Sequence, residues 1–106
     1  MATRVYAEQD GSRYMLFAEG HAGAVDACNY ITGVMYAFAG YVANAEAEDR
    51  CEVYALDINA DAPRFLVHCS GDERVEATFE AALIGLQQLA KERPDNITVE
   101  LPEENL

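Results

Sequence analysis

DACNYITGVMYAFAGYVANAEA, residues 26–47, decides the fold. Ile31, Val34, Met35, Phe38 and Val42 recur at the three- and four-residue spacing of one helix face, so the stretch predicts a helix of about five turns with a single buried stripe. Gly33 and Gly40 stand seven residues apart on one side of it. Glycine costs helix stability, so this pair is expected to let the helix approach a sheet closely.

Upstream, residues 3–8 and 12–18 alternate as two strands around Gln9-Asp10-Gly11-Ser12. Asp-Gly is favoured in tight hairpins because both residues tolerate positive φ, so the chain is expected to open with a hairpin turning there. Downstream, residues 51–58 and 64–69 form a second hairpin pattern around Asn59-Ala60-Asp61-Ala62-Pro63, with the proline at a strand entrance. Ser70-Gly71-Asp72-Glu73 reads as a capping box with Ser70 as the cap. Val75, Phe79, Leu83, Leu86 and Ala90 mark the stripe of a second helix, which Pro94 stops by forcing Arg93 out of helical geometry. Residues 96–101 make a last short strand, and residues 102–106 a polar tail expected to fray.

The order ββαββαβ predicts an α+β two-layer sandwich, with two helices on one face of a mainly antiparallel sheet. Neither sheet face is cleanly polar. Tyr6, Tyr14, Leu16, Tyr54, Leu56 and Leu66 lie on strands that also carry Val5, Met15, Phe17, Val53, Phe65 and Val67. A homodimer covering part of the second face is the economical expectation.

The chain has 106 residues, enough for one core, so residues 1–106 are read as a single domain. No apolar run approaches the roughly 20 residues of a membrane span, and the N-terminus lacks a secretory apolar region. A cytoplasmic chain with no membrane partner is expected. Cys28, Cys51 and Cys69 are odd in number and lack CxxC spacing, which disfavours a disulfide framework or a zinc site. Glu46, Glu48 and Asp49 form an acidic helix end without histidine, read as solvated surface. No cofactor or metal is implied. With 19 acidic against 7 basic residues, the net charge of −12 repels phosphate backbones, excluding direct nucleic-acid binding, and suits a basic protein or peptide.

Where the first hairpin gives way to the long helix stand His21 and Cys28, seven residues apart. A turn through Ala22-Gly23-Ala24 can fold that span back to hydrogen-bonding distance. A thiol needs a base to become a nucleophile at neutral pH, and the first turn of a helix favours its thiolate. If Asp26 caps the helix, Cys28 takes its second position, where nearby amides can receive an oxyanion. His21 then serves as general base and afterwards as acid for the leaving amine. Asp26 orienting His21 instead is equally compatible with the sequence. His68 and Cys69 are adjacent on a strand and point to opposite faces, so they cannot cooperate. Cys51 and Cys69 read as small core residues.

Gly20-His21-Ala22, Asp26 ahead of Cys28, and Thr32 one turn later resemble a pattern in the ribosomal-processing cysteine protease family Prp. Residues 83–90, running into Arg93-Pro94-Asp95-Asn96, are similar to that family's closing helix and strand entry. The resemblance covers nearly the whole chain. It implies a homodimeric protease that removes an N-terminal extension from ribosomal protein bL27, with Cys28 as nucleophile and His21 as base. It further implies that Gly20, Asp26 and Thr32 are supporting positions, with Asp26 shaping the loop and Thr32 hydrogen-bonding near the site. The chain departs from the pattern in a shorter loop between His21 and Cys28, in Asp26 standing two places before Cys28, in Asn29 after it, and in Thr32 for serine. Divergent phage-encoded chains resemble this family, which makes a capsid or scaffold precursor an alternative substrate.

Two other readings compete. One is a non-catalytic homodimeric binding module that keeps the fold and has lost activity through the shortened loop. The other is redox sensing by Cys28 with Cys51 or Cys69 as a spatial neighbour.

Overall fold

The computed structural model describes residues 2–59 and 61–102. The elements run β1 (Thr3–Asp10), β2 (Arg13–Glu19), α1 (Val25–Ala47), β3 (Cys51–Asn59), β4 (Arg64–Gly71), α2 (Glu73–Glu92) and β5 (Ile97–Glu100). This is the expected ββαββαβ order. The expected tail lies outside the described residues beyond Pro102.

The strands form one sheet in the order β3-β4-β2-β1-β5. Neighbours are antiparallel except β1 and β5, whose parallel pairing requires the crossover that α2 supplies. Both helices lie on one face. Val5 and Ala7, then Tyr14, Leu16 and Ala18, then Phe65, Val67 and Cys69 turn inward at alternate positions. They meet Ile31, Met35, Phe38 and Val42 of α1 and Val75, Phe79 and Leu86 of α2. Phe79 sits at the centre, its ring centroid 5.2 Å from Tyr14 and 6.0 Å from Phe38. Each such large side chain contributes about 1.5–3 kcal/mol by leaving water.

Three local expectations are corrected. The first hairpin pairs Asp10 with Arg13, so its turn residues are Gly11 and Ser12. Gly11 alone is left-handed, at φ +61°, and Asp10 still belongs to the strand. The cap of α2 is Asp72, whose carboxylate accepts from the amides of Arg74 and Val75 at 3.1 Å each. Ser70 remains in β4, where its hydroxyl meets Tyr54 Oη at 3.0 Å, because the ladder with β3 continues to Gly71.

Gly33 and Gly40 face open space, with nothing near where a Cβ would stand. The close approach is made by Gly71, where a Cβ would fall 2.7 Å from Val75 Cγ2. The helical stripe settles which face is buried, and both α1 glycines fall outside it.

The other face of the sheet carries Tyr6, Met15, Phe17, Leu66 and His68, all half-buried, with Tyr54 exposed. Arg64 lies over the Phe17 ring at 5.5 Å, and Arg13 over Tyr54 at 5.1 Å. The His68 ring lies tilted against Tyr54, centroids 5.0 Å apart, while Cys69 beside it points into the core, as strand alternation requires.

Candidate active site

Strand β2 delivers Gly20 and His21 to the rim of the sandwich, and α1 starts four residues after His21. Gly20 and Gly23 are left-handed, at φ +97° and +83°, which makes so short a reversal sterically accessible. The loop is tied down from three sides. Gly20 N donates to Pro63 O at 3.0 Å, Thr3 Oγ1 donates to Gly20 O at 2.9 Å, and Asn96 Nδ2 donates to Ala22 O at 2.7 Å.

This loop returns onto Cys28. The amide of Ala22 donates to Cys28 Sγ at 3.3 Å, so the residue following His21 touches the sulfur through its backbone. His21 is exposed and Cys28 half-buried. The two line a pair of adjoining depressions. One, of about 290 Å³, is completed by Gly23, Ala24, Val25 and Asn29. The other, of about 230 Å³, is walled by Thr3, Gly20, Ile31, Thr32, Pro63 and Phe65. A larger cavity of about 460 Å³ near the end of β1 contains no cysteine or histidine in its lining.

Gly20, His21, Cys28 and Thr32 are thus brought together, and Asp26 is not. Helix α1 begins at Val25 with Ala24 as its cap residue, so Asp26 is not the cap and Cys28 stands at the fourth helical position. The Cys28 amide is spent on Ala24 O at 2.9 Å and is not among the unpaired amides of the first turn. The Asp26 carboxylate accepts from the Ala27 amide at 2.9 Å and pairs with Arg93, away from His21. The Arg93 hydrogen bond, seconded by the Ala27 amide, holds the Asp26 carboxyl below the usual carboxylate range. Thr32 lies one turn beyond Cys28 on the same helix face. Among the described residues its hydroxyl makes no hydrogen bond to His21 or Cys28. His21 and Cys28 are likewise not bonded to each other, and the thiol's partner is the Ala22 amide.

The other thiols belong elsewhere. Cys69 is fully buried, and burial pushes it up to about 12. Cys51 touches Cys69, and burial raises it as well. Cys51 follows the far end of α1, roughly 30 Å from Cys28 at ~1.5 Å of rise per residue. It therefore cannot be a resolving partner for Cys28.

Sequence reasoning missed Thr3, Asn96, Pro63 and Phe65. Thr3 and Phe65 reach the site from β1 and β4, Pro63 from the turn before β4 and Asn96 from the approach to β5, by pairings that no local spacing encodes.

The architecture is the fold of the ribosomal processing proteases. The S. aureus protease Prp, solved with a covalently linked product peptide, superposes with a TM-score of 0.73 at 15% identity, over 94% of this chain and 99% of that one. The same protease with a substrate peptide gives 0.68 over the same shares, also at 15% identity. SMU.848 from Streptococcus mutans gives 0.67 at 20% identity, over 95% of this chain and 97% of that chain. No protein-family profile and no curated protein sequence matches the chain.

Proposed function

We propose that this chain is a cysteine endopeptidase of the Prp type, with Cys28 as nucleophile and His21 as general base. The observation that carries the reading is the shared cavity of His21 and Cys28, in which a backbone amide already donates to the sulfur. That donor fixes Sγ where the two depressions meet. The S. aureus structure with a covalently linked product peptide supports a peptide as substrate for this fold.

His21 is exposed, so rotation about its side-chain bonds can carry the imidazole onto the thiol once a peptide covers the site. His21 takes the thiol proton, Sγ adds to the peptide carbonyl, and the C–N bond breaks as His21 returns the proton to the leaving amine. Water, deprotonated by His21, then cleaves the thioester, releasing the carboxylate product and restoring the thiol. The apolar wall of Ile31, Pro63 and Phe65 suits an apolar substrate side chain beside the scissile bond.

The net charge of −12 favours a basic tail, such as the N-terminal extension of bL27 or a phage capsid or scaffold precursor. A homodimer formed through the open face of the sheet fits the same chemistry. Met15, Phe17 and Leu66 are apolar, and Arg4, Arg13 and Arg64 stand among Glu8 and Glu19 on that face, so it carries both signs of charge around an apolar patch. Leu66→Glu is expected to leave a monomer in sedimentation equilibrium.

The deciding experiment is incubation with a peptide spanning the bL27 extension and with a phage precursor tail, read by mass spectrometry beside Cys28→Ala and His21→Ala. Cleavage that both substitutions abolish supports the reading. Intact peptides, together with iodoacetamide labelling of Cys28 that His21→Ala leaves unchanged, would make the chain a non-catalytic binding module.

A further inference from the structure

The hydrogen bond on Cys28 Sγ comes from the peptide unit joining His21 to Ala22. The same unit carries the His21 Cα, so its orientation sets both the sulfur's donor and the root of the imidazole. A flexible loop would let it rotate, and the 3.3 Å contact would not persist.

The peptide units on either side are both clamped. Thr3 Oγ1 holds Gly20 O at 2.9 Å on the upstream side, and Asn96 Nδ2 holds Ala22 O at 2.7 Å on the downstream side. The two clamps are themselves joined, since Thr3 N donates to Asn96 O at 2.9 Å. Asn96 N in turn donates to Arg93 O at 2.9 Å, fixing Asn96 to the end of α2. Thr3 is 3% exposed, the only polar side chain in the buried set of the described residues, and its hydroxyl is spent on this loop. A threonine whose task were only to fill a strand would be replaceable by valine, which has the same shape and higher β propensity.

We propose that Asn96, seconded by Thr3, is a positioning residue that holds the His21–Ala22 peptide unit so that its N–H donates to Cys28 Sγ. Neither side chain touches the sulfur or the imidazole in this role. The inference rests on the reading of Cys28 as nucleophile. It adds that the nucleophile's electrostatic support is built from the approach to β5 and the start of β1, elements remote in sequence from the loop.

The discriminating substitution is Asn96→Asp, which keeps size and shape but replaces the donor with an acceptor facing Ala22 O. The readout is the rate of iodoacetamide alkylation at each cysteine between pH 6 and 10, resolved by peptide mass spectrometry on the folded protein. A clamp lost from Ala22 O is expected to slow Cys28 labelling at pH 7 by about tenfold, the order set by a lost hydrogen bond to a charged acceptor. At pH 10 the two proteins are expected to label Cys28 at matching rates. Continued protection of Cys69 shows that the core is intact. If Asn96→Asp exposes Cys69, Thr3→Val is read in its place and is expected to slow Cys28 at pH 7 in the same direction. Unchanged labelling of Cys28 at pH 7 in a variant that still protects Cys69 overturns the proposal. Labelling slowed by Asn96→Asp but indifferent to His21→Ala upholds the clamp while sinking the dyad, so the two readings fail separately.

Discussion

Replacing Gly71 with alanine tests how α2 is seated on the sheet. A Cβ at that position falls 2.7 Å from Val75 Cγ2, 2.8 Å from Val75 Cβ and 3.0 Å from Val75 Cγ1. Because the Val75 Cβ is among those atoms, no rotation of the valine removes the overlap. Val75 is itself fully buried and, being β-branched in a helix, restricted to one main rotamer. Relief requires the first turn of α2 to lift, which strains the two 3.1 Å hydrogen bonds to the Asp72 cap, or the end of β4 to shift against its 3.1 Å bond from Gly71 N to Ser12 O. Overpacking of this kind costs about 1–3 kcal/mol. Gly71 is not among the glycines of positive φ, so alanine also restricts the unfolded chain and regains about 0.4–1 kcal/mol. The net expectation is a loss of about 1–2 kcal/mol, and at roughly 4–8 °C per kcal/mol the melting temperature falls by about 5–15 °C. Urea denaturation with Val75→Ala and the double variant completes a thermodynamic cycle. The second alanine removes the Cγ1 and Cγ2 overlaps but keeps the Val75 Cβ at 2.8 Å, so it is expected to relieve the first in part, leaving a favourable coupling of about 0.5–2 kcal/mol. An unchanged or raised melting temperature in Gly71→Ala, or additive losses in the double variant, would refute the seating of α2 described here.

Gly33→Ala, with open space around its Cβ, is expected to raise stability by about 0.4–1 kcal/mol in the same urea assay, the opposite sign to Gly71→Ala. Burial pushes the Cys69 thiol up to about 12, so at pH 7 it carries far less thiolate than an ordinary thiol near 8.5. Cys69 should therefore label with iodoacetamide at least about a thousandfold more slowly than free cysteine, and fast labelling of the native protein would contradict its burial. Asp26 and Asp72 are both held below the usual carboxylate range, Asp26 chiefly by Arg93 and Asp72 chiefly by the Val75 amide. A depressed carboxyl stabilises the fold above its unfolded value near 4 and loses that contribution as pH falls through its folded value. Thermal unfolding should accordingly be insensitive to these groups from about pH 5 to about pH 7, where both carboxyls are ionised whether the chain is folded or unfolded, and stability should weaken below about 4. Asp72→Asn, which caps without titrating, is expected to flatten the acid limb.

Local pattern was enough to place every element. The stripe of Ile31, Met35, Phe38 and Val42 marks α1, the alternation of Tyr14, Leu16 and Ala18 marks β2, and Pro94 marks the end of α2, because each signal is carried by residues within a few turns of one another. Caps and turns were less legible. Ser70 and Asp72 are both good cap residues, and the choice between them depends on how far β4 pairs with β3. Asp26 and Ala24 present the same problem at the head of α1, where the first turn takes up Val25 and sends the Asp26 carboxylate to Arg93.

What the sequence determined by itself is the class of fold and the candidate pair, since hydrophobic periodicity and the seven-residue spacing of His21 and Cys28 are properties of contiguous chain. What only the tertiary structure decided is the surroundings of that pair. Strand order and register place Thr3, Pro63, Phe65 and Asn96 around the loop between β2 and α1. Those contacts join segments separated by up to 74 residues. They form through long-range pairing of β1 with β5 and β2 with β4, for which local sequence carries no signal.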